Sequence, residues 1–294
     1  MEPATALIFC RLVHYASTMF LWGAFAYLTL LVPKTLALDT GRRLHAARVA
    51  AILLALTSTF LALPLQAGAI GQGWSDAANL TTIRDVLFET SVGHSWLFQA
   101  ATALLLIPAL FLPVHKAHAV AAAASGLLLM SLALTGHAAM QEGWAGVAHQ
   151  INDMAHVLAG GAWIGALVPV MLVLGKLYQP TLHASAQLAL MRFSTAGHIA
   201  VALVIASGIV NTLLILGHIP ADLSSPYQFL LLTKIVLVIL LTALAIINRY
   251  VFVPRMRFDE ASAVQAIWYG TLVEIVLGIA VLGLVAWFGM LEPA

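Results

Sequence analysis

Eight long apolar stretches separated by short polar gaps organise this chain, over approximately residues 4–32, 46–72, 95–113, 117–139, 149–177, 190–217, 227–253 and 264–290. A helix rising about 1.5 Å per residue needs about 20 residues to cross a hydrocarbon layer of roughly 30 Å, and each stretch meets or nearly meets that length. The gaps leave no room for a soluble domain. The pattern predicts an all-α polytopic membrane protein with eight transmembrane helices. Composition agrees, with 62% hydrophobic and 9% charged residues, outside the range of a soluble domain.

The few charges orient the bundle. Ten of the thirteen Lys and Arg residues fall in every second gap: Lys34, Arg42, Arg43, Arg48, Lys116, Lys176, Arg192, Arg249, Arg255 and Arg257. The remaining gaps carry Asp76, Asp85, Glu89, Glu142 and Asp222, with Arg84 as their lone cation. By the positive-inside rule the basic gaps face the cytoplasm and both termini lie on the outer, periplasmic side. The first stretch has no basic leader and no small-residue cleavage site, so it reads as a retained transmembrane helix. The net charge of +1 gives no support for nucleic-acid binding, and one cysteine excludes an intrachain disulfide framework.

The chain also reads as two halves, residues 1–139 and 140–294, in a parallel four-plus-four internal repeat forming one integral membrane unit. The first helix has His14, Trp22 and Gly23; the fifth has His156, Trp163 and Gly165, with His and Gly nine apart in both. The next helix of each half opens at an Arg (Arg48, Arg192) and carries an amide near its outer end (Gln66, Asn211). On this reading His14 and His156 are equivalent and meet near the seam, about 10–15 Å below the outer surface. The outer connection over about 73–94 contains an amphipathic segment near Thr81–Glu89, suited to lie flat across the bundle mouth.

Ionisable residues inside a membrane span are costly and usually face the bundle interior. Eleven histidines against twelve acids is a high ratio, and six lie toward the outer side: His14, His94, His137, His149, His156 and His218. Imidazole with thioether or thiolate suits copper among the metals. His149, Asp153 and His156 share one face of the fifth helix, at about 0°, +40° and −20° around its axis. His137 and Met140, just upstream, add an imidazole and a thioether at the same depth. Asn152, only slightly off that face, and Asn211 are candidate supports for that set.

A second, weaker candidate pair is Cys10 with His14, four residues apart and able to hold Cu(I). A buried thiol beside a hydrogen-bonded His is an equally good reading. Lys234 and Glu274 come to similar depths by residue counting, which predicts an intramembrane ion pair with a coupling role for Glu274 as the alternative. His198, nearer the cytoplasmic side, would mark an inner way-station. His45, His115, His118 and His183 fall in cytoplasmic connections.

Taken in order, Gly136-His137-Ala138, Asn152-Asp153-x2-His156, Trp163-x-Gly165, Arg192-Phe193-Ser194, Ser207-Gly208-x2-Asn211, Thr233-Lys234, Asn248-Arg249-x4-Pro254 and Glu274 resemble the copper resistance protein D family (CopD/PcoD). The resemblance covers essentially the whole chain, most specifically about residues 136–275. It implies a multi-pass protein of the bacterial inner membrane that moves copper from periplasm toward cytoplasm in copper homeostasis and resistance. It also implies a separate periplasmic CopC-type copper-binding partner. The alternative from the residues themselves is a b-type cytochrome, with haem b held between histidines of different helices, such as His14 with His156. No phosphate-binding Gly-rich loop or activated nucleophile points to an enzyme.

Overall fold

The computed structural model describes residues 1–136 and 141–293, and its described residues are helical with no strand. Among the described residues, eight helices are long and apolar enough to span a membrane. They are α1 (Pro3–Leu30), α2 (His45–Ile70), α3 (Ser91–Phe111), α4 (Val114–Leu134), α5 (Gly143–Leu174), α6 (His183–Leu216), α7 (Pro226–Arg255) and α8 (Glu260–Phe288).

Prolines account for local irregularities in three of them, including α3, which is interrupted after Leu104 and resumes at Pro108. In α5 the helix loosens after Ile164 and resumes at Leu167. Pro169 lacks an N–H and its ring crowds the carbonyl four residues back, that of Gly165. In α7 a π-helical turn, Asn248–Phe252, precedes Pro254 for the same reason. Gly217 ends α6 in the left-handed conformation with φ of 73°, a cap that glycine adopts without a Cβ clash.

The first helix is central, packing against α2, α4, α5 and α8. Apolar side chains gain little by leaving lipid for one another, so membrane helices associate through close approach of small residues. Gly161 and Gly165 form such a small-xxx-small pair on α5. A Cβ on Gly23 of α1 would strike the Gly161 carbonyl and lie 2.7 Å from Ala166 N. Trp22 Nε1 donates to the Leu158 carbonyl at 2.9 Å across the same crossing.

The two ends of the bundle sort as the alternating gaps require. At the basic end, buried Lys176 pairs with Asp39, and Arg192 Nη1 donates to the Leu31 carbonyl at 3.3 Å. The hydrogen bond from Lys176 holds the Asp39 carboxyl below the usual carboxylate range. At the other end Trp74 Nε1 donates to the Met1 carbonyl at 2.8 Å, and Arg11 Nη1 to that of Gly289 at 3.1 Å. Gln141 Nε2 reaches the Leu214 carbonyl at 3.1 Å there too. The expected amphipathic helix forms as Leu80–Glu89, capped by Asn79, and Val86 buries against Leu63 and Ala67 of α2. A ten-residue helix in the first basic gap, Lys34–Arg43, was not expected from the hydropathy pattern.

Candidate metal centre

Two histidines on the central helices are held by the same device. His156 Nδ1 lies 2.9 Å from Ser207 Oγ on α6. That hydroxyl donates its own proton to the Leu203 carbonyl, one turn back. It therefore accepts from the imidazole, so Nδ1 carries the hydrogen and Nε2 keeps its lone pair. On α1, His14 Nδ1 lies 3.3 Å from both Ser58 Oγ and Thr59 Oγ1 of α2. Both hydroxyls donate to the Ala55 carbonyl, at 3.1 and 2.7 Å. His14 is fixed in the same tautomer, and its Nε2 is buried without a partner. A metal-binding imidazole needs this arrangement: one nitrogen anchored, the other bare.

The correspondence extends one turn toward the outer end. Asn152 Nδ2 donates to the Ser207 carbonyl at 2.9 Å, and Cys10 Sγ donates to the Ser58 carbonyl at 3.1 Å. Asn152 and Cys10 each stand four residues before their His. Asn152 also donates to Asn211 Oδ1 at 2.7 Å, and Asn211 Nδ2 to Asp153 Oδ1 at 2.8 Å. Asp153 and His156 are thus tied to α6 through one polar chain of Asn152, Asn211 and Ser207. Lys234 of α7 lies within the electrostatic reach of both. Arg11, three residues before His14 as Asp153 is before His156, binds Tyr15 Oη at 3.0 Å and the Gly289 carbonyl.

His149 does not join this chain. It is 1% exposed, and neither ring nitrogen has a hydrogen-bond partner. His137 and Met140 lie outside the described residues. Among the described residues no three His, Cys, Asp or Glu side chains converge in a ready-made metal cage. The structure joins Asp153 to His156, and Cys10 to His14, as two small polar centres.

The expected Lys234–Glu274 ion pair does not form. Glu274 Oε1 accepts instead from Asn248 Nδ2 at 2.8 Å, and the Lys234 ammonium lies 5.8 Å from the centre of the Phe288 ring. The reason is register. Leu241 of α7 shares a cluster with Trp163, which brings Lys234 level with His156. Asn248 is 14 residues further along, about 21 Å toward the basic end. His198 is exposed at the α6–α7 contact, with Nδ1 at 2.6 Å from the Ser194 carbonyl and Nε2 at 2.9 Å from Tyr250 Oη. His118, placed by the sequence in a connection, is instead buried in α4, its ring 5.2 Å from that of Phe25.

Ser58 and Thr59 are the participants that sequence reasoning missed, and Asn248 stood in a recognised motif without a role. Serine and threonine occur widely in membrane helices, and only the facing imidazole marks these as anchors. Ser207 stood in a recognised motif, without a role.

Comparison with known proteins identifies the family. Residues 1–147 match the family model for the copper resistance protein D-like N-terminal domain, and residues 187–288 that for copper resistance protein D. The chain is 35% identical to the inner membrane protein YebZ of Escherichia coli (strain K12), over 96% of this chain and 97% of that protein. It is 33% identical to copper resistance protein D of Pseudomonas syringae pv. tomato, covering 85% of this chain and 83% of that one. It is 30% identical to the copper transport protein CutJ of Bacillus subtilis (strain 168), over 86% of this chain but 47% of that one. Among solved structures, the bd oxidase from Geobacillus thermodenitrificans superposes over 97% of this chain and 87% of that one, with TM-score 0.49 and 12% identity. That likeness is too distant to bear on function. With both family models matched in order and a copper resistance protein D aligned at 33% identity over most of both chains, the chain belongs to the copper resistance protein D family.

Proposed function

We propose that this chain carries copper ions across the bacterial inner membrane, from periplasm toward cytoplasm, in copper homeostasis and resistance. The observation that carries this reading is the anchored imidazole of His156, whose Nδ1 is held by Ser207 so that Nε2 keeps its lone pair, on a helix face shared with Asp153. A cation entering between them meets one borderline nitrogen ligand and one compensating charge, a pairing that suits copper. In this reading His137 and Met140, which precede α5 in the chain, supply the further ligands of the entry site, and His149, buried apart from that hydrogen-bond chain, is not among them. His14 and Cys10 form the equivalent station of the first half, residues 1–139, and residues 140–294 form the second. The matching hydrogen bonds of His14 and His156 support this duplication. The basic gaps face the cytoplasm and the termini the periplasm, where a separate CopC-type protein delivers copper.

Copper uptake by proteoliposomes of purified protein tests the reading. His156→Ala and Asp153→Ala should each lose uptake by at least the roughly 10–100-fold seen when a metal ligand's support is removed. His115→Ala, exposed on the basic side, should match the parent. Equal uptake by His156→Ala at matched protein would remove this site from the mechanism. A Soret band in the purified protein would point instead to haem between the two histidines.

A further inference from the structure

A groove of about 1430 Å³ enters the protein between α6, α7 and α8. Its rim carries Arg192, Arg249, Arg257 and Glu260 from the basic end, and its deep end reaches Trp163 and Glu274. Gly278 of α8 abuts Ile164, so Glu274 lies about twelve helical residues, or about 18 Å, inward of His156. The Trp163, Leu167 and Leu241 cluster stands between the two levels.

The chemistry at the groove's end differs from that of the histidine sites. Glu274 is 3% exposed, and its Oε1 accepts from Asn248 Nδ2 at 2.8 Å. Asn248 opens the π-helical turn, a feature often found at functional positions. Gly270 makes room for it, since a Cβ there would lie 2.5 Å from Asn248 Oδ1 and 2.8 Å from Nδ2. Asn248 Oδ1 itself is buried with no partner. A buried amide oxygen left bare opposite a carboxyl asks for a donor. A protonated Glu274 supplies one, because its second oxygen would donate O–H to Oδ1 while the first still accepts from Nδ2. Acid and amide then satisfy each other through two hydrogen bonds.

Around Glu274 itself the donors are a single carboxylate, an amide and the groove-lining Thr271 hydroxyl, while the groove's imidazoles are held elsewhere, His198 by Ser194 and Tyr250 and His183 by Leu177. Such a set does not select copper. A lone carboxylate in a membrane interior is cheapest when protonated.

We propose that Glu274 is a proton-binding site that exchanges with the cytoplasm through the groove, and that a proton leaves by it as copper enters. The coupling rests on the copper-transport reading; the proton site does not. Groove water gives a proton to a Glu274 carboxylate oxygen, no other bond changes, and in the coupled cycle that proton is released on the outer side as copper passes inward. Other charged groups on the packed elements are committed elsewhere. Lys234, Asp153 and His156 lie about 18 Å outward. Arg11 binds Gly289, and His14 faces Ser58. His198 is tied to Tyr250, while Arg249, Arg255 and His183 sit toward the groove mouth or beyond it.

Two measurements test this. Dicyclohexylcarbodiimide reacts with protonated carboxyls in apolar surroundings, and peptide mass spectrometry reads its adduct. Glu274 of the intact protein should be labelled, labelling should fall as pH rises, and Glu274→Gln should leave that peptide unmodified. Absence of the adduct at every pH would overturn the proton site, whatever the fate of copper transport. In proteoliposomes containing a pH-sensitive dye, copper movement should drive proton movement in the opposite direction. Glu274→Gln should abolish that proton flux while equilibrium copper binding is unchanged, and Glu274→Asp should restore it in part. Undiminished copper-driven proton flux in Glu274→Gln, or copper transport by the parent without protons, would overturn the coupling. Labelled Glu274 in a parent that moves no copper would support the proton site and sink the transport reading alone.

Discussion

Ser207 stands to His156 as Ser58 stands to His14, and each hydroxyl decides which ring nitrogen is bare. In the proposed copper site, the ligating nitrogen is therefore set by a side chain that touches no ion. Ser207→Ala should free the imidazole to rotate and change tautomer, weakening copper binding by about 10–100-fold, the usual cost of losing such an anchor. Binding measured on purified protein, by competition with a chelator of known affinity, reads that change. Affinity equal to the parent's would mean that the hydroxyl does not set the ring. The Cys10 thiol donates to a backbone carbonyl, just as Asn152 does from the corresponding place. On the proposed duplication, one position carries sulfur in the first half and an amide in the second.

Among the elements, α1 and α5 decide the geometry. Their crossing depends on glycines because backbone atoms, which cannot rotate away, occupy the space a Cβ would need. Gly23→Ala should therefore cost about 1–3 kcal/mol, as overpacking does. Gly197→Ala on α6 meets nothing within 4 Å and should be neutral or stabilising by about 0.5–1 kcal/mol, since alanine suits a helix better. Thermal unfolding in detergent separates the two. If Gly23→Ala were as stable as Gly197→Ala, the close crossing would be wrong. The break in α5 is legible from Pro169, but the Asn248 π turn that delivers an amide to Glu274 is not. Proline marks where a helix is disturbed, whereas the neighbouring helix sets what the disturbance brings together.

At the scale of the whole molecule, the Asp39–Lys176 pair ties the first half to the second at the basic end. The carboxyl side is partly hydrated, at 42% exposure, whereas Lys176 is 3% exposed. Asp39→Asn strands a buried ammonium and should lower the melting temperature more than Lys176→Met, which leaves only a hydrated carboxylate. The pH dependence follows from the lowered folded pKa of Asp39. Its contribution is complete above the unfolded carboxylate value of about 3.9 and is lost as pH falls through the lower folded value. Melting curves should show an acid-side loss in the parent that is smaller in Asp39→Asn. Orientation is checked separately: a C-terminal reporter active only in the cytoplasm should be silent. Activity there would invert the outer and inner assignments of every site.

Span number, the alternation of basic gaps and the face shared by Asp153 and His156 were legible in the chain, because each follows from local rules. Hydrocarbon thickness fixes helix length, helical period fixes which residues share a face, and charge bias fixes which gaps lie together. The Asn79-capped helix Leu80–Glu89 was legible for the same reason. Pairing across helices was not. Residue counting set Lys234 beside Glu274, yet the contact of Leu241 with the Trp163 cluster slides α7 along α8 until Asn248 meets the carboxylate. Counting also placed His149 with Asp153 and His156, while packing buried it apart from their hydrogen-bond chain. Depth and partner depend on the relative register of two helices. That register is set by where small residues let backbones approach, a property of helix pairs that no single span encodes.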